Sequence, residues 1–232
     1  MNNETKLFST GVMIFILLLG GAAYFYVEYA SAEPIRVACV GDSITEGSGY
    51  PFQLNLMLGS NYIVGNFGVS GSTVSLDSTK PYMNESKFEE VLDFKPDIIV
   101  IMLGTNDANP EITPNETGFD TDYSRLVSAF QQLDGRQLIW IVKSPPIFTL
   151  NSSYNNTILV TAFLPEIDNL ADQLNLPTVD IYDALRSQSE YFADGVHPTS
   201  DGAAVIAANV YDAITLPDGS PDDSFFGDGY AG

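Results

Sequence analysis

The run Ile35–Thr45, IRVACVGDSIT, is apolar almost without alternation until it reaches Gly-Asp-Ser. β-Branched and small residues at Ile35, Val37, Ala38 and Val40 suit a strand covered on both faces, as in a parallel sheet. Four further runs read the same way: Tyr62–Gly68, Asp97–Gly104, Gln137–Lys143 and Thr178–Tyr182. Helical patterns are expected at Pro51–Leu58, Lys87–Phe94, Tyr123–Leu133, Ile158–Leu174 and Gly202–Ile214. Such alternation predicts an α/β fold with helices on both faces of a five-stranded parallel sheet. Right-handed crossovers leave few strand orders, and the flavodoxin-like order 2-1-3-4-5, a three-layer α/β/α sandwich, is expected. In sheets of this kind chemistry sits outside the carboxyl ends of the strands, which is where Ser43 falls. Most strand-terminal serines merely cap a turn or a helix, so position alone assigns nothing.

The ends of the chain read differently from its middle. Phe8–Val27 is uncharged and long enough to span a bilayer, and Ala30-Ser31-Ala32 has the A-x-A pattern of a cleavage site. Residues 1–32 are therefore a secretory signal, which the A-x-A pattern favours, or an N-terminal membrane anchor through residues 8–27. Either makes the domain at 33–216 extracytoplasmic, secreted or membrane-anchored. Sequons at Asn3, Asn84, Asn115, Asn151 and Asn155 fit export. Residues 217–232 are acidic and rich in Gly and Pro, the composition of a disordered tail.

Charge and rare residues exclude several function classes. Thirty acidic against nine basic residues give a net charge of −21, which repels nucleic acids and anionic lipid surfaces. The single cysteine, Cys39, lies within the first strand as a small core residue, and His197 is the only histidine. A zinc site of clustered Cys and His is thereby excluded and no EF-hand spacing occurs; a carboxylate-bound Ca²⁺ or Mg²⁺ stays open in so acidic a chain, but catalysis is expected to need no metal. Nothing in the chain reads out an oligomeric state.

Four short pieces lie at or after strand ends: Gly41-Asp42-Ser43, Asn66–Gly71, Gly104-Thr105-Asn106-Asp107, and Asp194-Gly195-Val196-His197-Pro198. Together they hold every part of an acyl-transfer site. A serine hydroxyl needs a base to take its proton, and that base is His197 or a carboxylate. Asp194, three residues before His197, is close enough to accept the Nδ1 proton and orient the ring. An oxyanion needs two or three fixed donors. The N–H groups of Ser43 and Gly71 and the side-chain amide of Asn106 are candidates, with Gly68 an alternative to Gly71. Asp42 and Asp107 are expected to shape and support their loops.

These four blocks resemble the GDSL esterase/lipase family, the SGNH hydrolases, in which Ser43, Gly71, Asn106 and His197 match the four eponymous positions. The likeness spans about Ile35 to Ile214, with Ile44 replacing the usual leucine. It implies a flavodoxin-like fold, a Ser43-His197-Asp194 triad and no cofactor. The sequence also looks like members that deacetylate carbohydrates, through Lys80-Pro81-Tyr82 and Leu103–Asp107. The implied substrate is a small ester, plausibly an acetylated carbohydrate. A lysophospholipase or acyl-thioesterase, and a catalytically silent glycan-binding module, stand as alternatives. Two long connections, Thr105–Asp122 and Ser144–Thr157, should overhang Ser43. Their polar composition favours acetyl over long acyl chains, with Tyr82 and Tyr154 as faces for stacking on a pyranose.

Overall fold

The structure, a computed structural model, describes residues 33–113, 117–135, 137–149 and 153–216. The expectations for residues 1–32, for residues 217–232 and for the sequons at Asn3, Asn115 and Asn151 lie outside the described residues.

Five parallel strands form one sheet: β1 Ile35–Gly41, β2 Tyr62–Gly68, β3 Ile98–Met102, β4 Leu138–Lys143 and β5 Thr178–Asp180. Their order is β2-β1-β3-β4-β5, as the alternation predicts. Side chains leave a strand alternately to its two faces, so an all-apolar strand must supply two cores. Val37 and Cys39 of β1 accordingly enter one core, and Ala38 and Val40 enter the other. In β4, Leu138, Trp140 and Val142 join the first, and Ile139 and Ile141 the second. The first core is covered by α2 (Tyr50–Leu58), α6 (Ile181–Leu185) and α7 (Ser200–Thr215). The second is covered by α3 (Ser86–Phe94), α4 (Phe119–Gln131) and α5 (Leu164–Leu174). The result is a three-layer α/β/α sandwich. Cys39 is wholly buried, and that burial pushes its thiol up to about 12, where no thiolate forms at neutral pH.

Besides α4, which begins at Phe119 rather than Tyr123, three elements depart from expectation, each for a local reason. Ser43 does not end a plain turn; it opens a short helix, α1 (Ser43–Gly47), because the Asp42 carboxylate caps it by accepting from Ile44 N at 2.9 Å. The last strand stops at Asp180, whose side chain accepts from Asp183 N at 2.8 Å and so starts α6. The helix expected over Ile158–Leu174 is interrupted by a π-helical stretch, Leu159–Phe163. Pro165, two residues past it, has no N–H to return to the preceding turn.

Register decides where the functional pieces land. Gly41 at the end of β1 pairs with Gly68 of β2 on one side and Met102 of β3 on the other. Three strands thus end level, at the point where the strand order reverses. Helix α1 then lies hard against β2. A Cβ on Gly68 would sit 2.7 Å from Glu46 Cα and 2.8 Å from Asp42 O. Gly68 is therefore a packing glycine, whereas Gly71 takes a left-handed φ of 79° with room for a side chain. Gly68→Ala should destabilise the fold by about 1–3 kcal/mol through overpacking. Urea unfolding checks this, and an unchanged midpoint would mean α1 is free to move.

Candidate active site

The level strand ends set Ser43 at the start of α1, with the turn Val69–Ser72 on one side and Leu103–Asp107 on the other. His197 arrives from the far end of the chain, on the loop before α7. Thr199 caps that helix, its hydroxyl accepting from Gly202 N at 3.4 Å. Ser43 Oγ and His197 Nε2 are 2.9 Å apart. On the other side of the ring, Nδ1 is 2.6 Å from Asp194 Oδ2. With the Nδ1 proton directed at Asp194, Nε2 is left as the acceptor of the Ser43 hydroxyl. Asp194 Oδ1 is tied to its own loop, accepting from Val196 N at 2.9 Å and His197 N at 2.7 Å. Partial burial works against the charge of Asp194. The two N–H groups and the imidazole outweigh it and hold the carboxyl down at about 2. The His197–Asp194 contact is open to water, so its effect is orientation more than stability.

The loop carrying Asp194 is braced by the connection after β4. Gly195 has φ of 81°, and its carbonyl accepts from Phe148 N at 2.7 Å. A Cβ there would lie 2.6 Å from Thr149 N. The Phe148 ring also meets Phe192, with centroids 5.1 Å apart. Part of the connection predicted to overhang the site therefore buttresses it.

Asn106 is buried, and its amide is fixed from both ends. Nδ2 donates to Ser72 O at 2.9 Å, while Oδ1 accepts from the Tyr154 hydroxyl at 3.0 Å. One of the two amide hydrogens is thus spent on the neighbouring turn and the other is left over. Gly71 lies in that same turn. Val69 N donates to Gly41 O, Ser72 N to Val69 O, and Ser70 N to the Glu46 carboxylate. No hydrogen bond among the described residues uses the Gly71 N–H.

Asp42 and Asp107, expected to support their loops, are buried acceptors, and so is Asp122. Asp107 receives Val74 N and Ser75 N, both at 3.0 Å, and the Ser75 hydroxyl at 2.7 Å, locking the segment after Ser72 onto the third block. Burial pushes its carboxyl up despite these bonds. Asp122 receives Leu76 N at 2.8 Å. Asp42 is wholly buried, which raises its carboxyl to about 7, the Ile44 N–H and the nearby His197 working the other way.

Sequence reasoning named Ser43, Asp194 and His197, which the structure joins in one hydrogen-bonded chain, and Asn106 and Gly71, which it sets in one turn-to-turn contact. Tyr82 needs correction. It is a core residue, fully buried, with its hydroxyl donating to Phe67 O at 2.7 Å, so no sugar ring can stack on it. Tyr154 is half-buried, and its hydroxyl serves Asn106. The clamp of Glu46 on Ser70 was missed; a glutamate one turn past the candidate nucleophile was its only sequence signal.

Asp42 supports a test by pH. Its carboxyl sits above the unfolded value of about 4, so between about pH 4 and 7 the folded chain holds a proton the unfolded chain has lost. Its contribution to stability therefore falls as pH rises through that window and levels off above it. Asp42→Asn keeps an acceptor for Ile44 N and removes the ionisation. The variant should gain on the wild type by about 1–4 kcal/mol at pH 8 relative to pH 4. Parallel denaturation midpoints across that range would contradict the assignment.

Comparison with known proteins agrees with this geometry. The model of the GDSL-like lipase/acylhydrolase family matches residues 39–205. An acetylxylan esterase of Xylanibacter ruminicola is 32% identical over 208 residues, which is 78% of this chain and 43% of that protein. The chain thus spans less than half the length of that relative. Among solved structures, a carbohydrate acetylesterase family member from Sinorhizobium meliloti matches with a TM-score of 0.62 at 25% identity, over 78% of this chain and 97% of that one. The M. smegmatis aryl esterase matches at 0.63 with 19% identity, over 78% and 98%, a likeness of fold alone. A match across most of the folded chain carries the conclusion: this chain belongs to the GDSL-like lipase/acylhydrolase family.

Proposed function

We propose that the chain is an exported serine esterase that removes acetyl groups from carbohydrates. The observation that carries this reading is the continuous chain Ser43 Oγ, His197 Nε2, His197 Nδ1, Asp194 Oδ2. In this reading Ser43 Oγ attacks the acetyl carbonyl while its proton passes to His197 Nε2. The developing imidazolium is stabilised by Asp194, which stays ionised. The carbonyl oxygen becomes an oxyanion held by the N–H groups of Ser43 and Gly71 and by Asn106 Nδ2. As the tetrahedral intermediate collapses, the C–O bond to the sugar breaks and His197 returns its proton to the departing hydroxyl. Water, deprotonated by His197, then attacks the acetyl-Ser43 ester and releases acetate.

The substrate class rests on the names of the relatives, an acetylxylan esterase and a carbohydrate acetylesterase family member. The site supports it. The block after β3 spends its buried polar residues Asn106, Asp107 and Asn109 on hydrogen bonds rather than leaving them to line a lipid groove. The acidic surface also disfavours anionic lipid interfaces. Export is inferred from the apolar run and the A-x-A pattern ahead of Glu33.

Ser43→Ala and His197→Ala should each lower kcat on p-nitrophenyl acetate by roughly 10⁴–10⁶-fold, with the double variant little worse, since triad members act as a unit. Near-normal turnover in either contradicts the reading. Asn106→Ala should lower kcat by roughly 10²–10³-fold with KM little moved. A change confined to KM would make Asn106 a substrate contact instead. Across p-nitrophenyl acetate, butyrate and octanoate, kcat/KM should fall with length. A rise with each step, as an apolar groove worth about 0.8 kcal/mol per CH₂ would give, favours the long-chain alternative.

A further inference from the structure

We propose that Lys80 is a positioning residue of this same site, acting through the peptide bond between Ser70 and Gly71. The inference rests on the reading of the Gly71 N–H as an oxyanion donor. Lys80 Nζ donates to the Ser70 carbonyl at 2.9 Å. That carbonyl and the Gly71 N–H are the two ends of one planar peptide unit, pointing in opposite directions. Holding the oxygen therefore aims the N–H. A cation on the oxygen also polarises the unit, and hydrogen bonds in a chain strengthen one another by about 10–30% each. The amide that meets the oxyanion becomes a better donor than a peptide bonded only to water.

The surroundings fit this role. The Lys80 stem lies along Gly71, its Cδ 3.9 Å from where a Cβ would stand. The backbone of Lys80 is anchored in the same loop, its carbonyl accepting from Thr73 N at 3.1 Å and its N–H donating to Ser78 Oγ at 3.2 Å. On the other side of Ser70, both N–H and Oγ donate to the carboxylate of Glu46. Glu46 sits on α1, the helix that Ser43 opens. Ser70 is thus held between an anion on the nucleophile's helix and a cation on its carbonyl, which fixes the peptide plane relative to Ser43. Lys87, Arg125, Lys143 and Arg186 all pair with carboxylates. Among the described residues Lys80 forms no ion pair, in a chain of net charge −21. Its contact is the backbone carbonyl instead.

The test compares Lys80→Met, Lys80→Gln and Lys80→Arg in the full chain, with Asn106→Ala alongside. Kinetics are run on p-nitrophenyl acetate, on a neutral acetylated xylo-oligosaccharide and on one bearing a uronate. Met and Gln should each lower kcat roughly tenfold with KM within about twofold, a part of the loss seen on deleting a whole donor. Arg should restore most of kcat. The loss should be equal on all three substrates, with thermal unfolding little changed. Unchanged kcat in Met and Gln, alongside a large loss in Asn106→Ala, overturns the role of Lys80 and leaves the oxyanion reading intact. A loss confined to the uronate-bearing substrate also overturns it, making Lys80 a substrate contact. If Asn106→Ala and Lys80→Met both leave kcat unchanged, the oxyanion reading falls and this inference with it.

Discussion

The molecule depends on a contact without side chains. Gly41 and Gly68 stand side by side at the ends of β1 and β2, and α1 presses its first turn onto them. A Cβ at Gly41 would lie 2.6 Å from Met102 O, and one at Gly68 would enter the backbone of Glu46. Two glycines in register let the chain turn from the buried central strand straight into a helix that begins at Ser43. That approach also brings Glu46 within reach of Ser70, so the placement of Ser43 and of the second block is one event. Bulk at either glycine would move both together.

Carboxylates in this chain have two kinds of work, and burial separates them. Asp42, Asp107 and Asp122 are buried acceptors for backbone N–H groups that loops would otherwise leave unsatisfied. Each bonds two connections or a connection and a helix, and Asp42 and Asp107 accept raised pKa values in return. Asp194 stands half in solvent, receives three N–H donors, and stays ionised at low pH. A carboxylate that must stabilise an imidazolium has to be charged, and one that must hold a loop does not.

The fold was legible because the central strands are apolar on both faces and β1 and β2 end in glycine. β1 and β2 are bounded as their sequences suggest, and the alternation of strands and helices is enough to order the sheet. The four blocks were legible because each follows a strand or precedes the last helix. What stayed hidden were couplings between blocks. The Asn106 bond to Ser72 O, the Glu46 clamp and the Lys80 bond to Ser70 O all end on backbone or on the following turn, where no residue pattern marks them. Tyr82 misled for a related reason. It lies in a polar stretch beside Pro81, yet its hydroxyl finds a buried carbonyl and draws the ring inside. Element ends were missed where one side chain overrides the pattern, as Asp180 does for β5 and Pro165 for α5.

The central claim is that Ser43 is made nucleophilic by His197. A fluorophosphonate that reacts only with activated serines tests it most directly, read by intact mass and by peptide mapping of the full chain. The account expects one adduct per chain, carried on the peptide containing Ser43 and lost in Ser43→Ala. It also expects labelling to slow in step with the loss of turnover when His197 is replaced. An adduct on another serine, or labelling at Ser43 indifferent to His197, would contradict it.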